Sequence, residues 1–327
     1  MKDNKSIKIP TPAAIVLVIL LAASSFYAGI SWIKNKAPAS SNITKTTPGG
    51  AVFTAQKADK PQLDFYVMAF CPFGNQIEET LRPVFDLIGE KAVIQPHYIF
   101  DKIANLEADC KTRSGDVTNC KLYVENKYFT TEAECKKVIS KNYADCTNGN
   151  NYIKSSTGTF YSSLHGRVEA NQNVRELCAW KLSDNKLTWW NFVDNVNKNC
   201  DSKNADTCWE DQAKKAGLDT AKITECFNKD GISLIEAEIA LTEKNKISGS
   251  PTVLINDVNF PPETAYTQDG KGTLKIGKKE YSQADFRTPN VLKEAVCASF
   301  KKAPSECSKT IEATATQNAA ASAGGCQ

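Results

Sequence analysis

The apolar and polar positions of this chain change period several times, and each change marks a boundary. From Ala13 to Trp32 no charged residue occurs, and Ile15-Val16-Leu17-Val18-Ile19-Leu20-Leu21 is continuously apolar. About 20 apolar residues at ~1.5 Å rise cross a hydrocarbon layer of ~30 Å. Residues 13–33 therefore read as a transmembrane helix behind a basic segment, 1–12, that carries Lys2, Lys5 and Lys8. A cleaved signal peptide is the competing reading, with Ala22-Ala23-Ser24 as its small-residue site. Residues 34–60 show no hydrophobic period, and Ala37-Pro38-Ala39-Ser40-Ser41 and Thr46-Thr47-Pro48-Gly49-Gly50 give them the composition of a flexible linker. At the other end, residues 303–327 turn polar and Ala-rich, a predicted disordered tail that carries Cys326 near its tip. What remains, 61–302, is long enough for one decorated domain.

Inside that domain the pattern predicts a β-α-β unit. Leu63 to Ala69 is a short β-prone run, followed by Phe70 and then Cys71-Pro72-Phe73-Gly74. Ile77, Leu81, Val84, Phe85 and Ile88 mark one face of a helix. Glu78 and Glu79 fall in its first turns, where negative charge suits the helix dipole. Pro83 removes one hydrogen bond and predicts a kink. Ala92 to Phe100 reads as a second strand, whose Pro96 requires an edge or a bulge. Far downstream, Gly249-Ser250-Pro251 precedes the β-prone run Thr252-Val253-Leu254-Ile255. The Ser250–Pro251 bond is a place where a cis peptide is accessible, an ordinary trans proline being the alternative. Thr288-Pro289-Asn290 opens a last helix with Val291, Leu292, Ala295 and Val296 apolar. Thr131-Glu132-Ala133-Glu134 reads as a capping box. Trp189, Trp190, Phe192, Val193 and Val196 read most simply as core, with an aromatic peptide-binding surface as the alternative.

Composition narrows the chemistry. The 327 residues hold 40 basic and 37 acidic side chains, a net charge of +3, so nucleic-acid binding by bulk electrostatics is not expected. Two histidines leave no room for a His-rich metal centre, and no Cys-x-x-Cys pair suggests zinc. No Gly-rich phosphate loop is present, so no metal, flavin or nucleotide cofactor is expected. The unusual quantity is cysteine, 12 residues, which points to an oxidising, extracytoplasmic compartment. Spacing suggests Cys110 with Cys120, Cys135 with Cys146, Cys200 with Cys208 and Cys297 with Cys307, while Cys178 and Cys226 would join two helices. Cys71 and Cys326 are left over.

Cys71 ends a strand and begins a helix. Unpaired backbone N–H groups there stabilise a thiolate, the form that attacks disulfides. Strand, Cys-Pro-Phe-Gly, helix, strand and a distant Ser-Pro-Thr together resemble the thioredoxin superfamily, with a helical, disulfide-braced insertion over about 101–247. Within that insertion, His165, Gly166, Glu169, Asn173 and Cys178 coincide with the Cys-Gln-His-Gly-x-x-Glu-Cys-x-x-Asn-x-x-x-x-Cys signature of gamma-interferon-inducible lysosomal thiol reductase and resemble that family, akin to DsbA-like oxidoreductases. The stretch from Cys208-Trp209 through Cys297 and Cys307 also resembles the thioredoxin-like segment of plant vacuolar sorting receptors. Three departures matter: Ser163 and Ala170 replace two signature cysteines, Leu164 replaces its glutamine, and Gly74 stands where a second active-site cysteine would be.

The resemblance implies a membrane-tethered, extracytoplasmic thiol-disulfide oxidoreductase with Cys71 as its single nucleophile. Pro251, if cis, would hold an extended substrate beside the sulfur, with Phe73, Gly74 and Ser250 shaping the site. Cys326 is a candidate resolving thiol, an incidental tail cysteine being the alternative. The expected partners are cysteine-containing polypeptides and a membrane redox partner, with the membrane reached through the N-terminal helix; cleavage of that segment would make the protein secreted. A redox-inactive thioredoxin-like binding or chaperone module is the alternative function. A receptor-like luminal domain is the third reading.

Overall fold

A computed structural model describes residues 50–312 together with Gly325 and Cys326. The expected basic segment 1–12, the transmembrane helix at 13–33, most of the linker and residues 313–324 of the tail lie outside the described residues. Among the described residues no helix is long and apolar enough to cross a membrane. The chain divides into two compact units, residues 114–142 forming one and the remaining described residues the other.

The larger unit is mixed α/β. Strand β1 (Ala51–Phe53) is followed by β2 (Gln62–Val67), helix α1 (Pro72–Ile88) and β3 (Val93–Tyr98). Leu63, Phe65 and Val67 are fully buried, and Asp64 and Tyr66 on the other face are buried too, as expected of a strand covered on both sides. Proline at the first position suits a helix start, because its missing N–H would have no partner there. Ile77, Leu81, Val84 and Ile88 form the buried stripe of α1. The helix continues through Pro83 to Ile88.

Next come β4 (Asp101–Ile103) and α2 (Leu106–Ser114), then, in the smaller unit, α3 (Cys120–Glu125) and the start of α4 (Glu132–Thr147). Strands β5 (Ile153–Lys154) and β6 (Phe160–Ser162) pair with β4 in the order β4-β6-β5. Four helices follow: α5 (Arg167–Leu182), α6 (Lys186–Asn199), α7 (Ala205–Lys215) and α8 (Thr220–Lys244). The chain then returns to the sheet as β7 (Thr252–Ile255) and β8 (Val258–Asn259), continues through β9 (Thr273–Ile276) and β10 (Lys279–Ser282), and closes with α9 (Pro289–Ala298).

The main sheet has the order β3-β2-β7-β8. β2 lies parallel to β3, with Phe65 opposite Pro96, and antiparallel to β7, with Phe65 opposite Val253. Pro96 thus sits on an edge strand, where its lacking donor is tolerated. Trp190 of α6 stacks on Phe65 with ring centroids 5.7 Å apart, and the Trp189 indole N–H donates to the Glu176 carbonyl at 2.9 Å. Trp189, Trp190, Phe192, Val193 and Val196 are all buried, so these residues form core and not an exposed aromatic surface.

Several boundaries shift from those read in the sequence. Residues 51–53, expected in the linker, form β1 and run parallel to β9. Residues just past 303 are also structured: Ser305–Ser308 forms a 3-10 turn, and Asn290 receives the Ile311 N–H at 2.8 Å while donating to its carbonyl. Glu78 does not face solvent at the helix start but is buried, with the Asn197 amide donating to it at 2.7 Å.

All twelve cysteines are bridged. Cys178–Cys226 joins α5 to α8, Cys200–Cys208 closes the turn from α6 to α7, and Cys297–Cys307 ties α9 to the turn after it. The two remaining short pairs differ from the spacing expectation: Cys110 bonds Cys146, and Cys120 bonds Cys135 within the smaller unit. Nearest neighbours in sequence fail here because Cys135 and Cys146 lie on the same helix, three turns apart, and cannot meet. The smaller unit otherwise rests on Ile139 with Tyr123 and Phe129, and on a cap in which Thr131 accepts the Glu134 N–H at 3.1 Å.

Candidate functional site

The site is a corner where the turn before α1 meets the start of β7. Cys71 is the N-cap of α1, with extended backbone (φ −74°, ψ 116°), and is fully buried. The Gly74 N–H points at its sulfur, 3.4 Å away, and the Asn75 N–H closes the first turn on its carbonyl at 3.0 Å. The Gly74 N–H is one of the donors that a helix N-terminus leaves without a backbone acceptor, and such donors favour negative charge on a sulfur held there.

That sulfur is not free. Cys71 is bonded to Cys326, across 255 residues of sequence, with Cα atoms 6.0 Å apart. The tail does more than supply a sulfur. The Ser250 N–H donates to the Cys326 carbonyl at 2.8 Å, and the Cys326 N–H donates to the Ser250 carbonyl at 2.7 Å. This is a single antiparallel bridge between Ser250, two residues before β7, and Cys326. The Ser250–Pro251 peptide is cis, as is Phe260–Pro261.

Ser250 is itself buried and fixed: its hydroxyl accepts the Met68 N–H at 3.1 Å. The same hydroxyl fills the space beside position 74. A Cβ added to Gly74 would stand 2.7 Å from the Ser250 hydroxyl oxygen, closer than side chains tolerate, and 3.3 Å from the Met68 carbonyl, a tight contact. A second cysteine at this position would need Ser250 to move. Phe73 occupies the first turn of α1 and is half-buried.

Beneath the turn lies a shelf of polar side chains from α5 and the residues before it. Glu169 accepts the Phe70 N–H at 2.9 Å and the His165 N–H at 2.8 Å, and its Oε1 lies 2.9 Å from His165 Nδ1. Asn173 accepts the Ala69 N–H at 3.0 Å. Its amide nitrogen faces the Ser163 hydroxyl at 3.3 Å, and that hydroxyl donates to the Ile99 carbonyl at 3.1 Å. The hydrogen bond to Glu169 raises the His165 pKa. Glu169 and Asn173 carry no role in the sequence reading beyond their place in the signature. Their spacing from His165, i+4 and i+8, places all three on one face of the helix start.

Two further buried clusters flank β3. His97 lies between Asp64, 3.3 Å from Nε2, and Glu238, 3.1 Å from Nδ1, and stacks on Tyr66. Although burial alone would favour the neutral ring, hydrogen bonds to the two carboxylates raise its pKa to about 9. Glu176 receives the Tyr98 hydroxyl and the Gln172 amide, and burial raises its pKa to about 7. Burial, with Glu176 nearby, also raises Glu78 well above the ordinary carboxylate range.

With this geometry in view, comparison with known proteins gives one consistent answer. Residues 118–265 match the vacuolar sorting receptor thioredoxin-like domain. The chain is 29% identical over 164 residues to vacuolar-sorting receptor 5 of Arabidopsis thaliana, covering 48% of this chain and 24% of that protein. It is 26% identical over 148 residues to vacuolar-sorting receptor 4 of the same plant, covering 40% and 22%. The domain is thioredoxin-like.

The chain spans about a quarter of the length of these curated relatives. They are sorting receptors by name, and this corrects the expectation of a thiol-disulfide oxidoreductase. Position 74 agrees with the correction: a glycine stands where a Cys-x-x-Cys site has its second thiol, and the Ser250 hydroxyl crowds it.

Proposed function

We propose that the domain is a redox-inactive thioredoxin-like binding module for polypeptide, tethered to a membrane through residues 13–33 and facing an extracytoplasmic compartment. The observation that carries this reading is at position 74. A Cys-x-x-Cys site carries its second thiol three residues after the first; here that position is Gly74, crowded by the Ser250 hydroxyl, and Cys71 is bridged instead to Cys326 of the tail. Similarity to proteins named as sorting receptors supports a binding role. Six disulfides support an oxidising compartment. The reductase-like residues Glu169 and Asn173 serve here as scaffold, because their polar atoms are spent on the backbone of the turn.

A turnover assay tests this. The purified chain and its Cys71→Ser variant are compared for catalysed reduction of a protein disulfide and for catalysed oxidation of a dithiol peptide. The reading expects equal rates for the two proteins in both directions. Multiple turnover that depends on Cys71 would overturn it.

A further inference from the structure

We infer that the cavity between the end of α4, strands β5 and β6 and the start of α5 binds an organic carboxylate carried on an apolar body, with Arg167 and Lys154 taking the charge and Phe160 the body. The cavity shares no lining residue with the Cys71 corner, and the inference does not depend on the function proposed above.

The space and its apolar wall come first. The cavity measures about 700 Å³ and lies wholly within the larger unit. Small-molecule sites of roughly 300–1,000 Å³ combine apolar walls with a few placed polar groups. Here the apolar wall is Leu106 of α2 with Tyr152 and Phe160, whose rings meet edge to face at 6.0 Å. Gly149, at φ 74°, brings the main chain close to that wall: a Cβ there would stand 3.2 Å from the Phe160 ring.

The charge of the lining has one sign. None of the described residues that line the cavity is acidic, while Lys154 and Arg167 enter it from two different elements. Arg167 is loosely held: its partner Asp206 stands 3.8 Å away and already receives Arg175 at 2.7 Å and the Asn171 amide at 3.0 Å. Its fork is therefore available, and a guanidinium binds a carboxylate through two parallel hydrogen bonds. Lys154 is exposed and its ammonium lies 5.5 Å from the centre of the Phe160 ring, so positive charge and apolar surface stand side by side. Gly166, the N-cap of α5, offers no side-chain acceptor, and the first turn adds its positive end to the same wall. The end of α4 does not cancel this, because the Ala144 and Cys146 carbonyls accept the Asn148 and Gly149 N–H groups at 3.3 and 3.1 Å. A ligand without an anionic group would meet two cations and offer them no counter-charge.

The test uses the full chain in non-ionic detergent micelles, with nitrogen-labelled asparagine. The side-chain amide resonances of Asn148 and Asn150, which line the cavity, report on it directly. The probes are N-acetyl-phenylalanine as the free acid and the same compound as its amide. The expected result is a saturable shift of both resonances by the acid, with the amide binding roughly tenfold more weakly. The Lys154→Gln, Arg167→Gln double variant should lose affinity for the acid by a similar factor, with its other asparagine resonances unmoved to show that it is folded. An acetylated alanyl-alanyl-phenylalanine with a free terminus separates two sources of the group. Tighter binding than the single residue supports a polypeptide terminus, and equal or weaker binding supports a small free acid. Absence of a saturable shift in the folded wild type, equal binding of acid and amide, or full affinity in the folded double variant would overturn the assignment.

Discussion

Two sets of contacts hold the turn that carries Cys71, and they differ in kind. From below, Glu169 and Asn173 receive the backbone N–H groups of Phe70 and Ala69 with side chains that are fully buried. From the rim, Ser250 meets the turn through its hydroxyl and meets the tail through its main chain. The lower set belongs to helix α5 and cannot leave without stranding donors in the interior. The upper set includes a segment of chain that is held by one rung and one disulfide. The same few residues therefore have a floor of buried side chains and a lid of bridged tail.

The floor predicts the largest effect. Glu169→Ala leaves the Phe70 and His165 N–H groups without their acceptor. At roughly 1–3 kcal/mol for a buried unsatisfied group, and with both N–H groups only partly buried, a loss of about 3 kcal/mol is expected. Calorimetry should read this as a fall in Tm of about 10 °C for a domain of this size. A loss no larger than that of a rim variant would break the distinction.

The pH dependence is next, and it belongs to the floor helix and its neighbours. Glu176 lies on α5 one turn beyond Asn173, and burial raises its pKa from 4.5 to about 7. The folded state therefore holds a proton that the unfolded chain has released. Its contribution to stability is complete below about pH 4.5 and is lost as the pH rises through about 7. His97 acts in the same sense over a higher window: its contribution is complete below about 6.5 and is lost as the pH rises through about 9. Tm should fall from pH 5 toward pH 9, and Glu176→Gln should flatten the lower part of that slope. A Tm that rises over this range would contradict the assignment of these buried groups.

Rim variants should do less to the fold and more to the tail. Gly74→Ala pushes a methyl group against the Ser250 hydroxyl, an overpacking that costs about 1–2 kcal/mol. Displacing Ser250 also weakens the rung to Cys326, so alkylation of Cys71 under mild reduction should accelerate relative to wild type. The smallest effect is expected for Gly325→Ala. A methyl group 3.2 Å from the Ser250 carbonyl should leave Tm within about 0.5 kcal/mol of wild type. Hydrogen exchange at the Ser250 amide should nevertheless be faster. Unchanged exchange would show that position 325 does not bear on the contact between Ser250 and Cys326.

The sequence made the floor and the sheet partly legible, and left the lid almost invisible. Leu63-Asp64-Phe65-Tyr66-Val67 and the Ile77, Leu81, Val84 and Ile88 stripe carry local periods, and they became β2 and α1. β1 carries no such period: three residues pair with β9 more than two hundred positions away, and only the tertiary fold supplies that partner. Glu78 reads as a first-turn acid, yet its side of the helix faces α6, where Asn197 meets it. The cysteine pairs at 110–146 and 120–135 are nested, which depends on the path of the chain between them and not on their spacing. His165, Glu169 and Asn173 form a visible stripe, but the N–H groups they serve lie about a hundred residues upstream. Ser250 is legible only as the residue before a proline. Its hydroxyl closes position 74 because two distant strands meet there, which no local pattern encodes.

The central claim is that Cys71 holds the chain's own tail at the Ser250 edge. Disulfide mapping by mass spectrometry of the full chain, alkylated before digestion and kept unreduced, tests it most directly. The account predicts a cross-linked peptide pair containing Cys71 and Cys326, with neither residue alkylated. Alkylated Cys71, or Cys326 bonded to any other cysteine, would contradict it.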